Sequence, residues 1–156
     1  PNDVVAGRKK LAGVLVEAVA GRELAAVGIG LNVRNRLPDE PAAAMPVGAD
    51  QPEPRPHAWP PTSFALETGQ DIAPEALLPP ILARLVDRWA DWEAGRLAEL
   101  REAWSARDAC RGHRVRLLPE GLEGVAEGID AAGALRIRLP NGTVQRAIAG
   151  ELAFLD

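Results

Sequence analysis

Two runs of aliphatic residues near the start of the chain predict a pair of β-strands. The runs are "KLAGVLVEAV" (residues 10–19) and "AAVGIGLNV" (residues 25–33), joined by the short polar segment "AGRE". Valine, leucine and isoleucine favour strands, and a connection of hairpin length favours antiparallel pairing. Because side chains alternate along a strand, Lys10 and Gly13 are expected on opposite faces of the sheet, with Lys9 on the face of Gly13.

The middle of the chain changes from a proline-rich pattern to a helical one. Residues 34–61 hold eight of the 14 prolines and few aliphatic residues, which predicts a long loop. From Ala73 onward apolar residues recur at three- and four-residue steps, as on a helix with one wide apolar face. Pro79 and Pro80 conflict with a helix interior, so the regular part is expected to begin near Pro80. Residues 96–107 predict a second helix.

The last third of the chain predicts a separate β module. Short strand patterns occur in "HRVRLL", "GVAEGID", "ALRIRL" and "TVQRAI", and glycine- and asparagine-containing turns separate them. Four or five such strands in under 50 residues indicate a small β-barrel. The chain is therefore expected to divide into residues 1–107 and residues 108–156. Three tryptophans of the helical region are expected to pack in the core or between helices: Trp89, Trp92 and Trp104.

Composition narrows the classes of function. Hydrophobic residues at 47% and charged residues at 26% are typical of a globular protein, and the net charge of −4 argues against a nucleic-acid partner held by a basic face. No apolar run approaches the length of about 20 residues that crosses a bilayer. The single cysteine, Cys110, gives no internal disulfide, so the cytoplasm is the expected location. Cys110, His57 and His113 lack paired zinc-site spacing, and we assign no metal ligand.

A small set of polar residues at strand ends is the candidate site for binding or catalysis. The chain has only two lysines, Lys9 and Lys10, whereas arginine occurs 16 times. If the strands pair as predicted, Asp3, Lys10 and Asn32 converge on one cleft and offer a carboxylate, a point cation and an amide. Such a set suits an anionic substrate and charge on phosphoryl oxygens. The alternative is structural, with Asp3 in a turn, Asn32 as a cap and Lys10 in solvent.

Four ordered motifs carry a family resemblance. "PNDV", "RKKLAGVLVE", "GIGLNV" and "PTSF" strongly resemble the C-terminal half of the catalytic domain of biotin protein ligases, also called biotin–[acetyl-CoA-carboxylase] ligases. The tail from "GHRVRL" through "GVAEGIDAAGALRIRL" to "GEL" resembles the C-terminal SH3-like domain of that family. The resemblance implies an α+β fold, in which part of a mixed-sheet catalytic domain of the class II synthetase type precedes a small SH3-like β-barrel.

The resemblance also implies an ATP-dependent ligase activity. Biotin is activated as biotinyl-5'-AMP and then transferred to a lysine of a biotin carboxyl carrier protein, the domain of a biotin-dependent carboxylase. ATP and biotin are the implied substrates, and Mg²⁺ the implied ion. Members of the family commonly dimerise through the sheet, so a homodimer is among the expected partners. No membrane and no nucleic acid is expected to contact this segment.

The motif positions imply roles for five residues. Lys10, immediately before "LAG", corresponds to the lysine that contacts the biotin carboxylate and the α-phosphate, and Gly13 of the same motif lies in the biotin site. Asp3 of "PND" corresponds to an aspartate beside the reacting groups. Asn32, which closes "GIGLN", holds the adenine edge, and Trp59 stands where some members cover the adenine with a tryptophan.

The resemblance leaves two alternatives and one expectation about extent. The alternatives are a lipoate ligase or transferase relative and a non-catalytic binding scaffold. The family's glycine- and arginine-rich loop, and the "KW" that normally precedes "PND", are expected upstream of Pro1, in a longer protein. We therefore expect these 156 residues alone to show little or no adenylation.

Overall fold

The structure, a computed structural model, describes residues 2–18, 20–21, 24–34 and 59–155. Within these ranges the helices are α1 (Phe64–Thr68), α2 (Pro74–Glu93) and α3 (Leu97–Ser105). The strands are β1 (Asp3–Ala6), β2 (Lys9–Ala18), β3 (Ala25–Leu31), β4 (Arg114–Leu118), β5 (Leu122–Ile129), β6 (Leu135–Arg138), β7 (Val144–Ala147) and β8 (Glu151–Phe154). Most of the predicted 34–61 loop, including His57, lies outside the described residues.

The two aliphatic runs form neighbouring antiparallel strands, as predicted. They are β2 and β3, and β1 pairs with the other edge of β2, giving the order β1-β2-β3. Val14 lies opposite Ile29, so aliphatic side chains meet across the strands on one face. On the other face Gly13 lies opposite Gly30. Because glycine has no side chain, another group can approach the backbone closely on that face.

The prolines of α2 do not delay its start. The helix begins at Pro74 and runs through Pro79 and Pro80, so the prediction of a start near Pro80 is wrong. Each proline lacks the N–H that would bond the carbonyl four residues earlier, but its fixed φ of about −65° matches helical backbone. The helix loses the hydrogen bonds that these two N–H groups would make, yet its residues stay helical to Glu93. The predicted second helix is confirmed as α3.

The second sheet contains the strands predicted for the last third of the chain. Among the described residues it has five antiparallel strands in the order β7-β6-β5-β4-β8, an arrangement consistent with an SH3-like domain. The described pairings do not join β7 to β8, so no closed barrel is seen among the described residues. Inward-facing residues of β4, β5 and β6 form its core: Val115, Leu117, Ala126 and Ile137.

Two of the three tryptophans do not pack in a core. Trp89 and Trp92 are 48% and 54% exposed, with ring centroids 5.0 Å apart on the surface of α2. The predicted packing in the core or between helices is not seen for these two residues, because the apolar face they share is not covered in the described part of the chain. Leu82 and Val86 on the same helix are also exposed. Trp104 of α3 is half-buried.

The chain divides into two compact units, Pro1–Ile81 and Leu82–Asp156. The division falls within α2, so the second half of that helix belongs to the unit that contains α3 and the five-stranded sheet. The division into residues 1–107 and residues 108–156 from the sequence pattern stays a prediction. In the ranges described, no helix has both the length and the apolar character needed to span a membrane.

Asp130 closes the turn between β5 and β6. Its Oδ1 atom accepts hydrogen bonds from the N–H groups of Ala132 at 2.9 Å and Ala134 at 3.0 Å. Its Oδ2 atom accepts one from Nε of Arg146 at 2.5 Å, on β7. The hydrogen bond from Arg146 is the main reason that the pKa of Asp130 lies below its usual value. The ionised carboxylate therefore ties this turn to the edge strand.

We expect Asp130→Asn to reduce the acid sensitivity of this unit. A carboxylate with a lowered pKa stabilises the fold above its unfolded pKa of about 4, and this stabilisation is lost as the pH falls through the folded pKa. Urea midpoints at pH 7 and at about pH 3 measure the effect. The wild-type midpoint should fall more than that of the variant. Asp87→Asn, whose carboxylate lies 4.0 Å from Arg84, is the control and should keep the wild-type pH dependence.

Candidate active site

Lys10 and Asp3 form an ion pair above the glycine face of the first sheet. Lys10 Nζ lies 2.6 Å from Asp3 Oδ1, and the two side chains are 41% and 43% exposed. Asp3 lies opposite Gly13 in the β1–β2 register. A Cβ atom at Gly13 would lie 3.8 Å from Lys10 Nζ and 3.9 Å from Asp3 Oδ1. The pair is therefore partly open to solvent and rests directly on Gly13.

A register shift brings Lys10 to this face. Val4 pairs with Ala12 and Val5 pairs with Lys10, which leaves Leu11 as an extra residue in β2. An extra residue of this kind interrupts the alternation of side chains. The prediction that Lys10 and Gly13 face opposite sides is therefore wrong, and the ammonium group lies beside Gly13.

Residues 59–63, here called the 59–63 segment, run along Lys10 and are held by its main chain. The Lys10 N–H donates to the Pro60 carbonyl at 2.8 Å, and the Thr62 N–H donates to the Lys10 carbonyl at 2.8 Å. These bonds form an isolated parallel bridge between Lys10 and Pro61. Both main-chain polar groups of Lys10 are thus bonded to the segment, which fixes the backbone from which the ammonium group extends.

Asn32 follows β3 and lies across from Leu11, next to Lys10 in β2. Its N–H donates to the Leu11 carbonyl at 3.0 Å, and its carbonyl accepts from the Phe64 N–H at 2.8 Å. The Val33 carbonyl accepts from the Ala65 N–H at 2.9 Å. The first N–H groups of a helix have no partner within it. Here the end of β3 provides the acceptors, so α1 and Asn32 hold each other in place.

Trp59 begins the 59–63 segment and contacts the tip of the β1–β2 hairpin. The guanidinium carbon of Arg8 lies 5.6 Å from the centroid of its ring, within the range of a cation–π interaction. Arg8 occupies the turn between β1 and β2 together with Gly7, whose φ of 59° suits that turn. Trp59 is half-buried. The hairpin tip therefore fixes the start of the segment, as Lys10 fixes its middle.

Glu67 on α1 links the end of the segment to Lys9. Its Oε1 atom accepts a hydrogen bond from the Thr62 hydroxyl at 2.5 Å and lies 3.5 Å from Lys9 Nζ. The bond from Thr62 is the main reason that the pKa of Glu67 is lowered, and the charge of Lys9 acts in the same direction. Ser63 caps α1 by accepting from the Leu66 N–H at 3.3 Å. Lys9 and Lys10 therefore have different carboxylate partners.

The described residues provide no evident protein cage for a metal ion. Within the described ranges, no three or more His, Cys, Asp or Glu side chains are grouped so that they could hold one. The nearest carboxylate to the candidate site, that of Asp3, faces the Lys10 ammonium. Burial, followed by the charge of Asp108, raises the pKa of the Cys110 thiol. We assign neither a metal ligand nor a thiolate nucleophile here.

The amino-acid sequence is similar to those of known proteins of one family. Residues 112–155 match the family described as "Biotin protein ligase C terminal domain". A curated relative, the biotin–[acetyl-CoA-carboxylase] ligase of Paracoccus denitrificans, is 38% identical over 148 residues, which cover 91% of this chain and 56% of the relative. The chain belongs to the biotin protein ligase family. It spans a little over half the length of this relative.

Solved structures of biotin protein ligases share the fold. The apo enzyme from Aquifex aeolicus superimposes with a TM-score of 0.77 at 24% identity, covering 98% of this chain and 62% of that one. The Aquifex aeolicus enzyme in complex with biotin and ATP gives a TM-score of 0.76 at 26% identity, covering 99% of this chain and 59% of that one. The predicted α+β class and the resemblance to biotin protein ligases are confirmed.

The structure brings the residues expected from the family motifs close to one another along the main chain. Lys10 and Asp3 are in direct contact above Gly13. Asn32 and Trp59 are held beside Lys10 through neighbouring main-chain bonds and the 59–63 segment. Their roles in binding or chemistry stay predictions, because contact within the protein does not by itself identify a ligand.

Sequence reasoning missed the residues that hold the segment. Thr62 and Arg8 lie within the motifs "PTSF" and "RKKLAGVLVE" but were assigned no role there, and Glu67 lies outside the four motifs. One local signal was available for α1: a Ser63 cap followed by a short helix that ends at Gly69, with φ of 71°. The contacts of Glu67 with Lys9 and of Arg8 with Trp59 join distant parts of the chain, which side-chain periodicity does not report.

Substitutions at Gly13 should separate folding from pocket geometry. An alanine Cβ meets only ordinary contacts there, the nearest at 3.7 Å from Lys10 Cε, so Gly13→Ala should fold with a melting temperature near that of wild type. Gly13→Leu should displace the ammonium group from Asp3. A crystal structure of each variant gives the Nζ–Oδ1 distance. An unchanged pair in Gly13→Leu would contradict the placement of the pair on Gly13.

Proposed function

We propose that the protein is an ATP-dependent biotin protein ligase that forms biotinyl-5'-AMP and transfers the biotinyl group to a lysine of a biotin carboxyl carrier protein. The observation that carries the proposal is the Lys10–Asp3 pair, half open to solvent on the floor made by Gly13, in a chain of this family. A compact cation on a flexible stem can meet single oxygens in a confined site.

In the first step, a biotin carboxylate oxygen attacks the α-phosphorus of ATP, and the bond to pyrophosphate breaks. Charge is spread over the phosphoryl oxygens during such a transfer, and catalysis rests on positioning and electrostatic stabilisation. Lys10 would exchange its contact with Asp3 for the biotin carboxylate and the α-phosphate. Asp3 would keep the ammonium group oriented until the substrates enter. The fixed main chain of Lys10 limits the positions that Nζ can reach.

Asn32 and Trp59 are proposed to hold the nucleotide. The Asn32 amide offers both a donor and an acceptor to the adenine edge. The Trp59 ring offers a flat surface on which the adenine can stack. The main-chain hydrogen bonds support this assignment, because Asn32 is bonded to Leu11, next to Lys10, and the segment that begins at Trp59 is bonded to Lys10 through Pro60 and Thr62. We propose that ATP enters as its magnesium complex, so the ion belongs to the substrate and no protein ligand is assigned to it.

In the second step, the amine of the carrier lysine attacks the carbonyl carbon of the mixed anhydride. The carbon–oxygen bond to AMP breaks, an amide forms, and the amine loses a proton. Lys10 would remain beside the phosphate of the departing AMP and stabilise its charge. The described side chains at the candidate site include no cysteine or serine nucleophile paired with a base, and this chemistry requires none.

The direct test uses the protein expressed from its own gene with biotin and α-labelled ATP. Formation of labelled biotinyl-AMP, followed by biotin on an added carrier domain and release of AMP, is the expected result. Labelled lipoyl-AMP in place of biotinyl-AMP would support the lipoate ligase alternative. A folded protein that forms no adenylate with either acid would overturn the proposal in favour of a binding scaffold.

We also propose that residues 1–156 alone turn over biotin slowly or not at all. This chain aligns with 56% of the curated relative, so the relative contains residues that have no counterpart in the comparison. The same adenylation assay on the 156-residue chain tests the point. A normal rate would show that the site described here is sufficient.

A further inference from the structure

The bonds around Thr62 form a continuous link from α1 to the main chain of Lys10. The Thr62 side chain is only 1% exposed, and its hydroxyl donates to Glu67 Oε1 at 2.5 Å. The N–H of the same residue donates to the Lys10 carbonyl at 2.8 Å. One residue therefore connects the carboxylate of α1 to the backbone that carries the candidate catalytic lysine.

Glu67 has two reasons to remain ionised in this position. A carboxylate that accepts a short hydrogen bond from a hydroxyl is stabilised in its charged form, and the Lys9 ammonium lies 3.5 Å from the same oxygen. Both contacts hold the carboxylate toward the strand. Lys9 lies opposite Ala6 and Lys10 lies opposite Val5, so the two lysines point to different faces of the sheet, and Glu67 binds the one that faces away from Asp3.

The geometry points to Glu67 as a positioning residue that, through Thr62, sets the main chain of Lys10. This inference rests on the proposed adenylation activity and extends it to two residues outside the predicted site. Neither residue touches substrate in this account. Their effect arises because a small displacement of a catalytic group strongly lowers the rate of a reaction that depends on orientation.

The test compares Thr62→Val with Thr62→Ser in the full gene product. Valine has nearly the same shape but no hydroxyl, and serine keeps the hydroxyl. We expect Thr62→Val to lower kcat for biotinyl-AMP formation about tenfold, the scale of one lost hydrogen bond to a charged group, with KM for biotin changed by less than about twofold. Thr62→Ser should recover kcat to within about threefold of wild type. If the substitutions acted only by unfolding the protein, Thr62→Val and Thr62→Ser would both lose activity, and serine would not restore kcat.

Thr68→Val is the matched control. Thr68 lies on α1, as Glu67 does, and its exposed hydroxyl bonds only to nearby main chain, donating to the Phe64 carbonyl at 2.8 Å and accepting from the Gln70 N–H at 3.2 Å, so its loss should leave kcat within about twofold of wild type. Melting curves of all variants identify any that fail to fold. Equal kcat values for Thr62→Val and wild type would overturn the inference while the proposed function stands.

A double-mutant cycle tests whether Thr62 and Glu67 act together. We expect Glu67→Ala to lower kcat by about the same factor as Thr62→Val, and the double variant to be no slower than either single variant. Independent, multiplied effects would contradict the inference. If the wild-type protein forms no biotinyl-AMP at all, the proposed function fails first and this inference fails with it.

Discussion

Lys10→Ala is expected to lower biotinyl-AMP formation by at least about two orders of magnitude, the range seen when a group that stabilises transition-state charge is removed. The protein should still fold, because the Lys10–Asp3 pair is about 40% exposed on both sides and the main-chain bonds of Lys10 do not depend on its side chain. Single-turnover formation of biotinyl-AMP measures the effect without interference from product release.

Lys9→Ala is the matched control for this prediction. It removes the only other lysine in the chain, whose contact with Glu67 at 3.5 Å is largely solvent-exposed. We expect a loss of no more than about threefold, as for an ordinary surface ion pair. Lys10→Arg should remain strongly impaired, since a planar guanidinium does not replace a compact ammonium group. Comparable losses at Lys9 and Lys10 would contradict the assignment of separate roles.

Gly124→Ala should strongly destabilise the five-stranded sheet. A Cβ atom at Gly124 would lie 2.6 Å from Ile137 Cγ2 and even closer to the Arg138 carbonyl oxygen. Ile137 is fully buried, and the Arg138 contact is with backbone, so neither group can turn aside without moving β6. Overpacking of a core typically costs about 1–3 kcal/mol, and we expect the upper end here.

Gly28→Ala is the control for the general effect of alanine in a strand. The nearest atom to its new Cβ would be the Leu15 carbonyl oxygen at 3.9 Å, an ordinary contact. Urea unfolding, with hydrogen exchange of residues 114–138 to follow the second sheet, measures both variants. Gly124→Ala should lower protection there, and Gly28→Ala should not. An unchanged second sheet in Gly124→Ala would show that β5 and β6 can separate without loss of packing.

The elements that sequence analysis predicted correctly are those with local signals. The β2–β3 pair follows from two aliphatic runs joined by a short connection, and α3 follows from its apolar spacing. The predicted start of α2 near Pro80 was wrong, because the rule that proline disfavours a helix interior does not say whether the surrounding structure tolerates the lost hydrogen bonds. The stripe that contains Trp89 predicted an apolar face correctly, but periodicity does not say whether anything covers that face.

At the candidate site, too, local sequence patterns did not predict the contacts between distant residues. The motif around Lys10 selected the residue that contacts Asp3, while strand alternation placed its side chain on the wrong face relative to Gly13. The error came from the register shift, which depends on how β1 pairs with β2 and has no signature in the spacing of apolar residues. Glu67 was missed because it lies outside the four motifs and its contact with Lys9 joins two distant parts of the chain.

The hydrogen bonds at the end of β3 have a consequence for the stretch between residues 34 and 59. Val33 accepts from Ala65 and Asn32 accepts from Phe64, so the chain leaving the first sheet and the chain returning to it are joined by their own backbone. These two hydrogen bonds, here called the anchors, therefore hold the two ends of the intervening stretch close together. These anchors close the chain on itself at the end of β3, whatever the length of the stretch between them.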